Sequence, residues 1–257
     1  MQRKFRRLTD DQWEVIKLFL NWQRKRELDL REIFDTILFV TRTGIQWRNL
    51  SETKFPDWQA VYYYYDKWKK SGTFENINIT LNVLERIQKD KEPTPSLGLV
   101  DSQSVTLNPM ISNRGIDGNK KINGRKRHIF VDVLGRIYKT HIHPANQHDS
   151  PQGVNLLKNI KKIGERLNVI MGDKTYRGTF AKAVEAAGLK FEVPQRPKNK
   201  KGFVVEAKRW VVERTFAWLN FFRRVVKDYE RTIESAQTFL LLANISMCLW
   251  RIDFSSE

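Results

Sequence analysis

Along the first ninety or so positions, apolar residues recur every three or four places, the period of an α-helix. Thr9 followed by Gln12 is a capping-box pattern and predicts a helix through about Leu20. Leu30, Ile33, Phe34, Ile37 and Leu38 share one face of a second helix, which stops at Gly44. Trp58, Val61, Tyr62, Tyr65 and Trp68 predict a third from Asp57 to Lys70, and a fourth runs from about Phe74 to Lys89. The polar segment KDKEPTPS, with its two prolines, marks a linker near residues 89–96.

Beyond the linker the period changes. LGLV is a short strand ending at Asp101, and HIFVDV and RIYKTHIH flank Leu134-Gly135 as a β-hairpin. There follow a helix over SPQGVNLLKNIKKIGERL, a strand NVIMGD, a helix over YRGTFAKAVEAAGL closed by Gly188, and a strand KFEVP. A long helix covers about Val205 to Val226, and a last one covers Glu234 to Trp250. Phe239 to Trp250 is the longest apolar run; it is too short to span a bilayer and contains Asn244 and Ser246, so it reads as a buried helix. Alternating strands and helices imply an α/β layer structure over residues 93–257, behind a small all-helical domain over 1–92.

Charge narrows the function. The 257 residues carry 46 Lys and Arg against 29 Asp and Glu, a net charge of +17. Such an excess points to a polyanionic partner, with nucleic acid foremost. Residues 1–92 hold only +4 of it and the remainder +13, so the anion-binding surface is expected mostly in the larger unit. The single cysteine, Cys248, excludes an intrachain disulfide and a cysteine-rich zinc site, and fits a reducing compartment. The basic N-terminal residues have no apolar stretch behind them and do not read as a secretory signal.

Two basic stretches, 113–128 with Arg125, Lys126 and Arg127, and 195–202 with Lys198, Lys200 and Lys201, read as flexible loops. Each is either a solvated face or a grip on a phosphate backbone. Lys67, Lys69 and Lys70 cluster at the end of the third helix. The N-terminal helices are candidate DNA readers, but the gap from Thr43 to Asp57 far exceeds the 3–4-residue turn of a helix-turn-helix, so a packing or dimer role competes.

Three acids stand out against this charge. Asp101 and Asp173 each end an apolar strand, and Glu213 lies on a helix whose other faces are strongly apolar. Glu206, Arg209, Glu213, Ala217, Asn220 and Arg224 form a stripe on that helix. Ligands gather at the carboxyl ends of strands in α/β sheets. Three hard oxygen donors there suit Mg²⁺, with Mn²⁺ possible, and phosphodiester chemistry on nucleic acid. The alternative is that each acid is an unrelated helix cap or ion-pair partner. His141, His143, His148 and Asp149 invite a zinc site, but Pro144 and Asn146 favour a turn with local hydrogen bonds. Asp132 reads as structural, and Tyr176 and Arg177 as a helix start or a DNA contact.

DSQSV, GRKRHIFVDVLG, HPANQHD, GDKTYRG and above all RWVVERTFAWLNFFRR resemble the DDE transposases of bacterial insertion sequences, in particular the insertion-sequence five family. LTDDQWEVI, TRTGIQWRNL and WQAVYYYYDKWKKSGTFE resemble its helical leading region. The resemblance implies a ribonuclease H-like mixed sheet flanked by helices. It implies a metal-binding triad of Asp101, Asp173 and Glu213, with Arg209 matching the family's arginine. The implied activity is binding to terminal inverted repeats, followed by Mg²⁺-dependent DNA cleavage and strand transfer. The implied partner is double-stranded DNA, at element ends and target, held by a homodimer in the bacterial cytoplasm at the nucleoid. The chain departs from the family pattern at Glu206, where a tyrosine is usual, at Asn220, where a basic residue is usual, and at Thr175, often a small residue. These departures leave a second reading, a sequence-specific DNA-binding protein with an inactive transposase-derived site.

Overall fold

The computed structural model describes residues 5–23, 27–194 and 209–254. Four helices lead: α1 (Asp10–Lys17), α2 (Leu30–Thr43), α3 (Trp58–Lys70) and α4 (Thr73–Ile87). Their ends follow from local chemistry. Thr9 and Gln12 form the reciprocal capping box of α1, and the Asp29 and Asp57 carboxylates cap α2 and α3. Gly44 closes α2 in the left-handed region, at φ 72°.

A six-stranded sheet follows, built from β1 (Leu97–Thr106), β2 (Gly115–Asp117), β3 (Ile122–Val131), β4 (Ile137–Pro144), β5 (Val169–Met171) and β6 (Lys190–Glu192). β1, β3 and β4 pair antiparallel, while β5 and β6 run parallel to β1 on its other edge. β2 and β4 lie end to end along the outer edge of β3. This is the mixed sheet of a ribonuclease H-like fold. Between and after the strands lie α5 (Asp149–Gly153), α6 (Thr179–Ala186), α7 (Arg209–Leu219), α8 (Arg223–Val226) and α9 (Ile233–Leu249).

Helices cover both sheet faces. One apolar cluster takes in α1–α4, α7, α9 and the side chains of Leu99, Ile129 and Ile137. The other joins Val100, Phe130 and Tyr138 to Leu156, Ile160, Ile163, Tyr176, Phe180 and Val184. α9 lies between α4 and β4 and is buried from Ser235 to Leu249, except at Gln237. The helices of residues 1–92 therefore share a core with the sheet. Among the described residues, no helix is long and apolar enough to cross a membrane.

Four elements differ from the sequence expectation. The first strand does not end at Asp101 but runs on to Thr106, because its polar second half, DSQSVT, pairs residue by residue with β3. Residues 149–166 form α5 and two 3-10 turns instead of one helix, because Asn159 turns left-handed (φ 54°) and Gly164 takes φ 145°. The helical spacing of Leu156, Ile160 and Ile163 still buries all three. The stretch 113–128 is no loop: most of it is β2 and β3. The helix carrying Glu213 breaks after Leu219. Phe222 turns extended and stacks on Trp250 at 5.4 Å, and Arg224 swings inward to bond Glu230 at 2.7 Å. Arg224 thus leaves the stripe.

Candidate active site

The parallel pairing of β1 and β5 matches Leu97 with Val169 and Leu99 with Met171. Carried two residues further, that register sets Asp101, in the middle of β1, level with Asp173, two residues past the end of β5. Such strands lie roughly 4.8 Å apart. Side chains alternate along β1, so Asp101 shares a face with Leu99 and Gln103, while Ser102 looks to the opposite side with Val100 and Ser104. Helix α7, which carries Glu213, packs against β1.

Local hydrogen bonds orient both aspartates. Ser102 N–H donates to Asp101 Oδ1 at 2.7 Å. Asp173 caps the short 3-10 turn Lys174–Tyr176, with Oδ1 accepting from the Thr175 amide at 2.9 Å and from the Thr175 hydroxyl. Both aspartates are half-buried, and Glu213 is exposed on α7. Among the described residues, no three His, Cys, Asp or Glu side chains converge closely enough to hold one metal ion. The fold thus puts Asp101 and Asp173 on neighbouring segments and Glu213 on a helix that packs against β1, without closing a three-carboxylate cage among the described residues.

Tyr176 was the element hardest to foresee. Its side chain is fully buried, neither a helix-start residue at the surface nor a DNA contact. Burial first, then the Asp101, Asp149 and Asp173 carboxylates, raise its hydroxyl well above the usual tyrosine range. In a chain of net charge +17, these carboxylates concentrate negative charge at the strand ends. One of them, Asp149, is paired with Lys126 at 3.0 Å. Strand alternation around Ser102 and His128 was the available signal for this cluster.

The basic residues divide. Arg125, Lys126 and Arg127 are 0%, 8% and 3% exposed, so they do not offer charge to DNA as the loop reading expected. Arg125 pairs with Asp228 at 3.1 Å, Lys126 with Asp149, and Arg127 donates to the Val225 carbonyl at 2.6 Å and to Gln103. A guanidinium inside a protein requires such partners. The exposed charge of that stretch is Lys120 and Lys121, at the turn between β2 and β3. Lys67 and Lys70 are exposed on α3, Lys69 is half-buried, and Lys69 and Lys70 both pair with Asp66. Lys174 and Arg177 are exposed beside Asp173. Lys198, Lys200 and Lys201 lie outside the described residues, as does Glu206, and Arg209 opens α7.

The histidines flank a turn at Ala145 and Asn146, where Gln147 N–H donates to the Pro144 carbonyl at 3.2 Å. His141 and His143 lie within β4, and His148 caps α5 by accepting from Ser150 N–H at 3.3 Å. Asp132 is structural: it pairs with Arg86 at 2.6 Å and accepts from the amides of Leu134 and Arg136 at the β3–β4 turn.

Comparison with known proteins gives two family matches. Residues 8–78 match a family described as "Putative transposase of IS4/5 family (DUF4096)", and residues 92–249 match "Transposase DDE domain". A relative described as "Putative transposase for insertion sequence element IS402", from Burkholderia cepacia, is 30% identical over 133 residues, 49% of this chain and 63% of that protein. The uncharacterized protein y4sN of Sinorhizobium fredii is 32% identical over 74 residues, 27% of this chain and 58% of that protein. The chain therefore spans about three fifths of each of these relatives. Among solved structures, the catalytic core domain of BIV integrase is similar at 14% identity and a TM-score of 0.38, covering 57% of this chain and 81% of that one. The catalytic domain of Mos1 mariner transposase is similar at 10% identity and a TM-score of 0.29, covering 69% and 92%.

Proposed function

From a chain that belongs to the transposases with a DDE domain, we propose an enzyme that binds the terminal inverted repeats of its element, cuts DNA there and joins the freed end to a target. The observation that supports this reading is the β1–β5 register, which, continued past Leu99 and Met171, sets Asp101 in mid-β1 level with Asp173 just beyond β5, with Glu213 on the helix packed beside β1.

The donor chemistry fits a divalent cation. Carboxylate oxygens are hard ligands that suit Mg²⁺ or Mn²⁺. Asp101, Asp173 and Glu213 would hold such ions. Bound there, they supply activation of a water or 3′-hydroxyl and charge stabilisation at the leaving oxygen. The Ser102 amide and the Thr175 amide and hydroxyl fix one oxygen of each aspartate, which limits their rotation. Arg209, one helical turn before Glu213, orients Glu213 or the scissile phosphate. Lys174 and Arg177 grip phosphates beside the cut, while Lys120, Lys121, Lys67 and Lys70 extend the contact along the duplex. Two ends handled together call for a homodimer on DNA.

The test is a duplex carrying the element's terminal repeat, incubated with and without Mg²⁺. The wild type is expected to nick it only with the ion. Asp101→Asn, Asp173→Asn and Glu213→Gln are expected to bind it without nicking. Nicking by Asp101→Asn at the wild-type rate rejects the reading. Binding without any nicking by the wild type favours the inactive, DNA-binding alternative.

A further inference from the structure

Behind the two aspartates lies a chain of buried polar side chains that the proposed chemistry does not use. Ser102 on β1 faces His128 on β3, and His128 faces His141 on β4, all on the side of the sheet turned away from Asp101. Tyr176 reaches this row from the turn capped by Asp173 and sets its hydroxyl 2.5 Å from His128 Nδ1. His128 Nε2 lies 2.7 Å from His143 Nε2, and His143 Nδ1 lies 2.8 Å from the Pro144 carbonyl. Tyr176 and His128 are fully buried, and His143 is nearly so.

The bond directions follow from the last link. A carbonyl only accepts, so His143 Nδ1–H donates to Pro144. Burial lowers His143 to about 4, so the ring is neutral and its Nε2 accepts from His128 Nε2–H. Burial first, then the neighbouring His143, His141 and Lys126, hold His128 neutral too. Its Nδ1 therefore accepts the Tyr176 O–H. Ser102, the β1 partner of His128, faces this same row. Ser102 adjoins Asp101, and the Tyr176 amide donates to the Asp173 carbonyl at 3.2 Å. Through His128, which pairs with Ser102 across the sheet, one neutral hydroxyl thus ties the stretch of β1 beside Asp101 to the turn bearing Asp173. It does so with its own proton committed away from the carboxylates.

We propose that Tyr176, backed by His128 and His143, is a positioning residue that sets the spacing of Asp101 and Asp173 for a divalent cation. The proposal rests on the metal-binding reading of those aspartates. Two carboxylates brought together repel each other, and a buried neutral strut holds them in place without adding charge. Hydrogen-bond partners behind metal ligands typically change affinity by about 10–100-fold when removed.

The experiment is Mn²⁺ titration of the full chain without DNA, with free Mn²⁺ followed by electron paramagnetic resonance, well below the melting temperature of each variant. The wild type is expected to show a tight Mn²⁺ class that Asp101→Asn abolishes. Tyr176→Phe, which keeps the ring packed and loses only the hydroxyl, is expected to weaken that class about 10-fold or more. His128→Leu is expected to match it, and His128→Gln, which can still accept and donate, to restore most of the affinity. The double variant Tyr176→Phe/His128→Leu is expected to be no weaker than either single one. Wild-type affinity in folded Tyr176→Phe, or equal affinities of His128→Gln and His128→Leu, overturns the strut; the second comparison decides if Tyr176→Phe does not fold. Absence of a tight class in the wild type overturns the metal-binding reading itself, and the strut with it.

Discussion

Replacing Asn244 by leucine should cost this protein a large part of its stability, even though leucine suits the rest of α9. Asn244 Oδ1 accepts from the Ile137 amide at 3.1 Å, and its Nδ2 donates to Asn78 and Asn82 Oδ1 at 2.7 and 2.9 Å. The Asn78 and Asn82 amides both donate to the Ile137 carbonyl, at 2.8 and 2.9 Å. One side chain therefore joins α4, α9 and the start of β4. Leucine keeps the volume but strands the Ile137 N–H and the Asn78 oxygen and leaves the Asn82 oxygen only the weak Cys248 thiol donor at 3.5 Å, all buried. Each stranded group costs about 1–3 kcal/mol, and the gained apolar contact offsets about 1–2 kcal/mol. A net loss of about 3–5 kcal/mol is expected, a third or more of the usual folding margin. Urea unfolding followed by tryptophan fluorescence measures it. A loss below about 1 kcal/mol, with an unchanged denaturant slope, refutes the claim that this network holds the N-terminal helices to the sheet.

Three further outcomes follow from particular residues. His143, lowered to about 4, and His128, also lowered, favour the folded state only while neutral. Their contribution is full above the unfolded value of about 6.5 and drains as pH falls toward 4, so melting temperature should drop between pH 7 and 5, less so in His128→Gln/His143→Gln. Asp35 has the opposite sign: burial raises it to about 6, so its stabilising protonated form is lost as pH rises through 6. Asp35→Asn, which can still accept from the Leu8 amide, should gain about 1–3 kcal/mol at pH 7.5 and lose that advantage at pH 4; a less stable variant at pH 7.5 contradicts this. Gly124→Ala would set a Cβ 1.9 Å from the Val105 carbonyl oxygen, forcing β1 and β3 apart, so the melting temperature should fall steeply; an unchanged one refutes the contact.

What could be read from the chain depended on how local the deciding interactions were. The caps of α1–α3 and the Gly44 stop involve residues a few places apart, and the helices fall where those signals put them. An acid ending an apolar run is equally local, which is why Asp101 and Asp173 stood out. Arg125 and Arg127 were misread because the groups that satisfy them, Asp228, Glu230 and Val225, lie about a hundred residues away. The break after Leu219 was hidden for the same reason: it depends on Phe222 meeting Trp250. Tyr176 was read as a helix start or a DNA contact because His128 reaches it only across the folded sheet.

The most direct test of the central claim is anomalous scattering from Mn²⁺ in crystals of the protein bound to its element-end DNA. The account predicts a peak between the Asp101 and Asp173 carboxylates, with Glu213 drawn in to ligate, and its loss in Asp101→Asn. A peak at His141 and His143, or none at Asp101 and Asp173 while the crystals hold Mn²⁺ elsewhere, contradicts it.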